Sequence, residues 1–347
     1  MTIGGLVVAL ALVVGSVLVV RSLVGSEDRS RLAGAMHRAP QDAVRFSWTD
    51  WTAVRERLGV KLDASSSGAL VQDLLDRGFD ADLTSTTALG SSAVEMQGRL
   101  GFSPASLDWE LFSQGETGAS LLLKPGPSIT FDDVRAKLEA SGYAPPAKAD
   151  GLWIADPGSD AITTLVTPEL NVVAFDEGSG LMITSDTDSG ARIAIAALGH
   201  DDDAPLTDDV LSAAGDPLSA SLYTGAEVCG ALAMARADPT EQANADQLLA
   251  DAGRVNPISG FAIASEPDTN VRVVMSFESA DQARTNADTR AALASGPAPG
   301  QGGDFADRFT LGDVTAEGDV VTMELEPVEG SYVLSDLSTG PVLFATC

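Results

Sequence analysis

The sequence predicts an α+β fold, in which an N-terminal transmembrane helix precedes two similar antiparallel sheet-plus-helix units. Three observations carry this expectation. The first twenty residues hold no charged side chain, and no later segment approaches that length of apolar sequence. Beyond residue 44, short strand-like runs bounded by Gly, Pro and Asp turns alternate with capped helical stretches. The same order of elements recurs in the two halves, with helix caps at Thr130 and Ser279, 149 residues apart. The expected division is an anchor at 1–24, a tether at 25–43, and units at 44–215 and 216–347.

The stretch from Ile3 to Leu23 is broken only by Gly4, Gly5, Gly15, Ser16, Arg21 and Ser22. About twenty residues of helix span the roughly 30 Å hydrocarbon layer. A cleaved secretory signal is the alternative, but its charged n-region is missing and Val24-Gly25-Ser26 is a weak cleavage site. The stretch therefore reads as an uncleaved signal anchor. Arg21, Arg29, Arg31 and Arg38 follow it, and the positive-inside rule places such a flank in the cytoplasm. The acidic, Lys-poor body argues the other way, and the expectation is a single-pass protein of the cell membrane with its body outside the cytoplasm. Residues 25–43, mostly small and charged, read as a tether.

In the first unit, Val44, Phe46 and Trp48 start a strand that runs into a helical piece, Trp51 to Leu58. A Ser-rich loop at 64–68 leads to a helix from Ala69 that Gly78 stops. Leu107–Leu111 and Ala119–Leu123 read as strands around a turn-rich loop, and Pro125-Gly126-Pro127 ends the pair. Thr130 caps a helix at 131–140, with Asp132 and Asp133 in its first turn and Gly142 past its end. A strand at 152–155, a hairpin at 171–175 and 181–184, and a helix at 191–198 follow.

The second unit opens with a strand at 219–224. The stretch from Val228 to Ala235 suits either helix or strand. A helix at 240–252 ends at Gly253, and strands at 260–265 and 270–277 flank Glu266-Pro267-Asp268-Thr269. Ser279 caps a helix at 280–294, and a Gly/Pro-rich loop at 295–303 reads as a flexible connector. Strands at 309–314 and 320–325 surround a Gly-containing turn.

Composition is that of a folded body: 44% hydrophobic and 20% charged residues among 347. Lys and Arg number 21 against 50 Asp and Glu, a net charge of -29 that repels phosphate backbones and excludes general nucleic-acid binding. The balance is uneven, +3 through Lys61 and -32 beyond it. A basic collar is drawn to an anionic bilayer while the acidic body is held off it.

Several phrases point to a family: Gly101-Phe102-Ser103-Pro104 with Leu107-Asp108-Trp109-Glu110, Cys229-Gly230-Ala231-Leu232-Ala233-Met234, and the closing Phe344-Ala345-Thr346-Cys347. With the N-terminal anchor and the Ala/Asp/Gly-rich style, the chain resembles actinobacterial membrane-anchored exported proteins of unassigned function. The likeness covers most of the chain after the anchor. Its phrases are not catalytic signatures, so it implies a location and no mechanism.

The common catalytic motifs do not occur. G-x-S-x-G, H-E-x-x-H and the Walker A loop are missing, and none of the four Lys has a Ser three residues before it. The two His residues are His37, in the tether, and His200, in a loop. No catalytic residue, cofactor site or cofactor is assigned. Carboxylate-based glycoside chemistry stays open on residue count, with Asp108, Glu110 and the Trp residues as the place to look. Trp48, Trp51, Trp109 and Trp153 all fall in the first half, where they suit either a sugar-stacking surface or, more simply, a core.

For a metal, Asp201, Asp202, Asp203 and Asp208 form the candidate cluster for a hard cation, although Thr207-Asp208-Asp209 also reads as an ordinary helix start. With two Cys in the chain, Cys229 and Cys347 allow one intramolecular disulfide. The apolar run Val342-Leu343-Phe344 would fray as a terminal strand unless so fastened. These readings converge on a non-enzymatic envelope protein with a binding or scaffolding role. Its expected partners are the lipid bilayer, through the anchor, and envelope proteins or cell-wall components. A cell-wall-directed hydrolase using carboxylates and a calcium-dependent sensor or adhesion module are the alternatives.

Overall fold

The computed structural model describes residues 29–148, 151–156, 158, 165–199 and 204–347. The stretch read as a transmembrane anchor lies outside the described residues, as do Asp201, Asp202 and Asp203. Among the described residues no helix is long and apolar enough to cross a membrane.

Twelve strands form one antiparallel sheet: β1 (Ala43–Thr49), β2 (Leu107–Gly115), β3 (Gly118–Pro125), β4 (Tyr143–Ala144), β5 (Trp153–Ala155), β6 (Val172–Asp176), β7 (Leu181–Ser185), β8 (Ser219–Thr224), β9 (Gly260–Ser265), β10 (Val271–Ser276), β11 (Phe309–Glu317) and β12 (Val320–Pro327). Their order across the sheet is β11-β12-β10-β9-β8-β1-β2-β3-β7-β6-β5-β4. The helices are α1 (Arg31–Met36), α2 (Trp51–Arg57), α3 (Gly68–Asp80), α4 (Ala93–Arg99), α5 (Phe131–Ala140), α6 (Asp188–Leu198), α7 (Asp208–Ala214), α8 (Gly225–Leu232), α9 (Pro239–Ala252), α10 (Ala280–Ala294) and α11 (Val333–Leu337).

This single sheet overturns the expectation of two similar sheet-plus-helix units. The leading strands of the two halves, β1 and β8, pair with each other, Ser47 opposite Ser221 and Thr49 opposite Ser219. Each pairs on its other side with a hairpin strand, β2 or β9. Left apart, both would present a bare edge of backbone N–H and C=O groups; joined, they satisfy one another. The halves are also unequal, with seven strands on one side of the junction and five on the other. Helix α5 packs beside β4 and α4, whereas α10 lies across β11 and β12.

Local signals place the elements well. Thr130 Oγ1 accepts the Asp133 N–H and Ser279 Oγ the Gln282 N–H, each capping its helix. The ambiguous stretch after Val228 is helical as far as Leu232. Within the segment read as a tether, α1 buries Leu32, Ala35 and Met36. The terminal run expected as a strand is a 3-10 turn, Leu343–Ala345, with all three residues buried.

Side chains alternate across the sheet, so each face collects its own set. One face is a continuous core in which Phe46, Trp48, Leu111, Leu222 and Ala262 meet α1, α6 and α7. The other face carries two cores. Helices α2 to α5 cover the first, around Trp51, Leu74, Met96 and Phe112; α8 to α11 cover the second, around Val228, Phe261, Leu293 and Leu334.

Candidate functional site: a polar cleft where the halves meet

The junction strands supply the site. Phe46 and Trp48 of β1 and Ala220 and Leu222 of β8 face the continuous core. By alternation, Ser47 and Thr49 face the other side with Ser219 and Ser221. A seam of hydroxyls thus separates the two cores of that face.

Ser47 and Ser221 floor an open cleft of about 390 Å³. Both are buried, 8% and 7% exposed. Thr49 and Ser219, the next opposed pair along the seam, are fully buried, and their hydroxyls have no hydrogen-bond partner among the described residues. Thr86 Oγ1, in the cleft wall, has none either. A buried hydroxyl without a partner costs on the order of 1–3 kcal/mol. The Ser113 and Thr184 hydroxyls, elsewhere in the sheet, are also buried without a partner among the described residues; Thr86 is the one of these that lines the cleft.

Two carboxyls hold the walls, Glu110 buried and Asp82 half-buried. Glu110 is fully buried beneath the wall at 86–88; its Oε1 accepts from Thr87 Oγ1 at 2.6 Å and from the Ala88 N–H at 3.1 Å. Its Oε2 accepts from Trp51 Nε1 at 2.9 Å. Burial outweighs these donors and pushes the Glu110 carboxyl up to about 7. The opposite wall is the end of α11, with Ser335, Ser338 and Thr339. Asp82 holds it, Oδ2 accepting the Leu334 N–H at 2.6 Å and Oδ1 the Ser335 N–H at 3.0 Å. Burial likewise raises Asp82 to about 7. Asp82 has φ 55°, in the left-handed region that side chains other than Gly seldom adopt.

Three further hydrogen bonds fix the walls. The Tyr223 hydroxyl donates to Ser338 O at 2.6 Å. Thr167 donates from its N–H to Ser92 Oγ at 3.0 Å and from its hydroxyl to Ala88 O at 3.3 Å, which brings Glu169 to the rim. Burial raises the Glu169 carboxyl. The cleft therefore offers neutral donors and acceptors on its floor, the Phe112 ring beside them, and Arg45 and Glu169 at its margin.

Neither a protein-family model nor a curated protein matches the chain. Among solved structures, the chain is similar to crystal form I of TP0453, with a TM-score of 0.42 and 7% identity over 90% of this chain and 98% of that one. It is similar too to crystal form III of TP0453, with a TM-score of 0.43 and 8% identity over 87% and 97%.

The residues singled out in the sequence are dispersed. All four Trp are buried, and Trp48 and Trp109 pack with ring centroids 5.3 Å apart in the continuous core. Glu110 is enclosed by its three donors, while Asp108 accepts from Thr52 Oγ1 at 3.3 Å. Asp208 lies in the first turn of α7, its Oδ1 2.8 Å from His37 Nε2. Among the described residues no group of three or more His, Cys, Asp or Glu could hold a metal ion.

The expected disulfide is present, Cys229 to Cys347, with Cα atoms 5.5 Å apart. Beside it stands a residue that pattern reading missed. Arg290 is fully buried and donates to the carbonyls of Phe344, Thr346 and Asn256, at 2.8 Å and 2.7 Å for the first and last. Burial lowers its guanidinium to about 9. Its helix, α10, shows no clear apolar stripe, so nothing in the spacing marks Arg290 as an inward-facing residue.

Proposed function

We propose that the protein is a membrane-anchored, extracytoplasmic binding protein of the cell envelope, and that the cleft between β1 and β8 holds its ligand. The observation that carries the location is the disulfide, which ties the chain end to α8 across 118 residues. Structural disulfides persist in oxidising compartments outside the cytoplasm. The apolar stretch at 3–23 and the acidic body are consistent with export past an anchor. The binding role rests on the cleft, whose floor is rigid sheet and whose walls are pinned by Glu110 and Asp82. A site built this way is preformed, as ligand pockets usually are.

Labelling of intact cells tests the location. Lys61, Lys137 and Lys148 are exposed and accessible to a membrane-impermeant amine reagent. The expected result is the same modification of these lysines in intact and in lysed cells. Modification only after lysis would overturn the proposal.

A further inference from the structure

The geometry points to a neutral, polyhydroxylated ligand of monosaccharide size in the β1–β8 cleft. This inference rests on the binding role proposed above. The floor is two opposed serines, Ser47 and Ser221, with Gln114 on the neighbouring strand, and a hydroxyl or carboxamide serves as both donor and acceptor. A sugar or cyclitol hydroxyl does the same, so each can pair with a floor group whichever way the proton lies. Thr86 Oγ1 is buried in the wall and unpartnered among the described residues, an acceptor and donor already desolvated for such a ligand. The nearly covered Phe112 ring supplies the apolar surface against which a sugar ring's C–H face packs.

Charge argues against an anion. The body beyond Lys61 carries -32, and the Glu169 carboxyl stands at the rim. Among the described residues that line the cleft Arg45 is the cation, and it stands exposed at the margin rather than on the floor. A volume of about 390 Å³ lies at the small end of ligand pockets and accommodates one six-membered ring with its substituents and attendant water. With a short apolar contact and neutral hydrogen bonds, millimolar affinity is expected.

The test uses the full chain in phosphatidylcholine nanodiscs, with D-glucose and myo-inositol as probes and saturation-transfer NMR as the readout. The expected result is a saturable signal from at least one probe, weakened tenfold or more in the double variant Ser47→Ala/Ser221→Ala. Ile154→Ser, an exposed position on β5 near the far end of the sheet, should leave it unchanged. Thermal unfolding confirms that each variant is folded. Absence of signal from both probes at 20 mM overturns the ligand class, and a signal that survives the double variant overturns the site. Inorganic phosphate competing with the probes also overturns the neutral-ligand assignment. Lysine labelling in intact cells does not depend on any of these results, so failure of the ligand class and failure of the envelope reading are separable.

Discussion

The Asp82 carboxylate accepts the backbone N–H of Leu334 at 2.6 Å, joining residues 252 apart in sequence. With the Ser335 N–H on its other oxygen, Asp82 caps the five-residue helix α11 from the opposite half of the molecule. A helix this short has little stability of its own and depends on such caps and on packing. Asp82→Ala should lower unfolding free energy by about 1–2 kcal/mol. Urea denaturation measures this, and amide exchange at 333–337 should accelerate more than exchange elsewhere. Uniform acceleration would show that Asp82 does not act through α11.

Glu110 predicts a pH dependence with a definite sign. Its folded-state value is raised from 4.5 to about 7, so between those values the folded chain holds a proton that the unfolded chain has released. The stabilisation is complete below the unfolded value and is lost as pH rises through 7. From pH 5 to pH 8 the protein should lose up to ~3 kcal/mol through this group. Glu110→Gln, neutral throughout, should flatten that part of the profile in thermal unfolding. An unchanged slope in the variant would remove Glu110 as its source.

Arg290 should be among the least replaceable residues. Its guanidinium presents five donors in a fixed fork, and here they serve the carbonyls of Asn256, Phe344 and Thr346 around the chain end. Arg290→Met should leave these carbonyls without that donor and cost at least ~3 kcal/mol. Arg290→Lys, with a single ammonium, should fall between the two. Chemical denaturation of the three proteins gives the order.

Much of the fold was legible where the controlling forces are local. The Thr130 and Ser279 caps, the turn of the β2–β3 hairpin and the strands of β9 and β10 depend on side chains a few residues apart. The pairing of β1 with β8 depends on which two edges meet, and residues 45–49 and 219–223 carry no signal of each other. The cleft was hidden for the same reason. Arg45, Ser47 and Thr49 alternating with Phe46 and Trp48 read as the wet face of a strand, yet two flanking cores bury the serine and threonine. Asp82 gave no warning because its partner lies 252 residues away. Glu110 offered one signal, a carboxylate set between Trp109 and Leu111-Phe112 in an apolar strand.

The disulfide predicts a large stability difference between oxidised and reduced protein. The bond closes a loop of 118 residues, which in the chain-entropy model contributes about 4–5 kcal/mol. Reduction under native buffer should lower the urea midpoint and release the 342–347 segment to proteolysis first. Intact 342–347 after reduction would mean that Arg290, the Val342 and Thr346 hydrogen bonds and core packing hold the segment without the bond.

The envelope reading stands most directly on the state of Cys229 and Cys347 in the cell. Cells quenched in acid, alkylated under denaturing conditions and analysed by mass spectrometry report that state without purification. Both cysteines should be protected from alkylation until a reductant is added, and the tryptic peptides containing them should be found cross-linked. Two alkylated thiols in unreduced protein would contradict the bond in its native compartment, and the extracytoplasmic assignment with it.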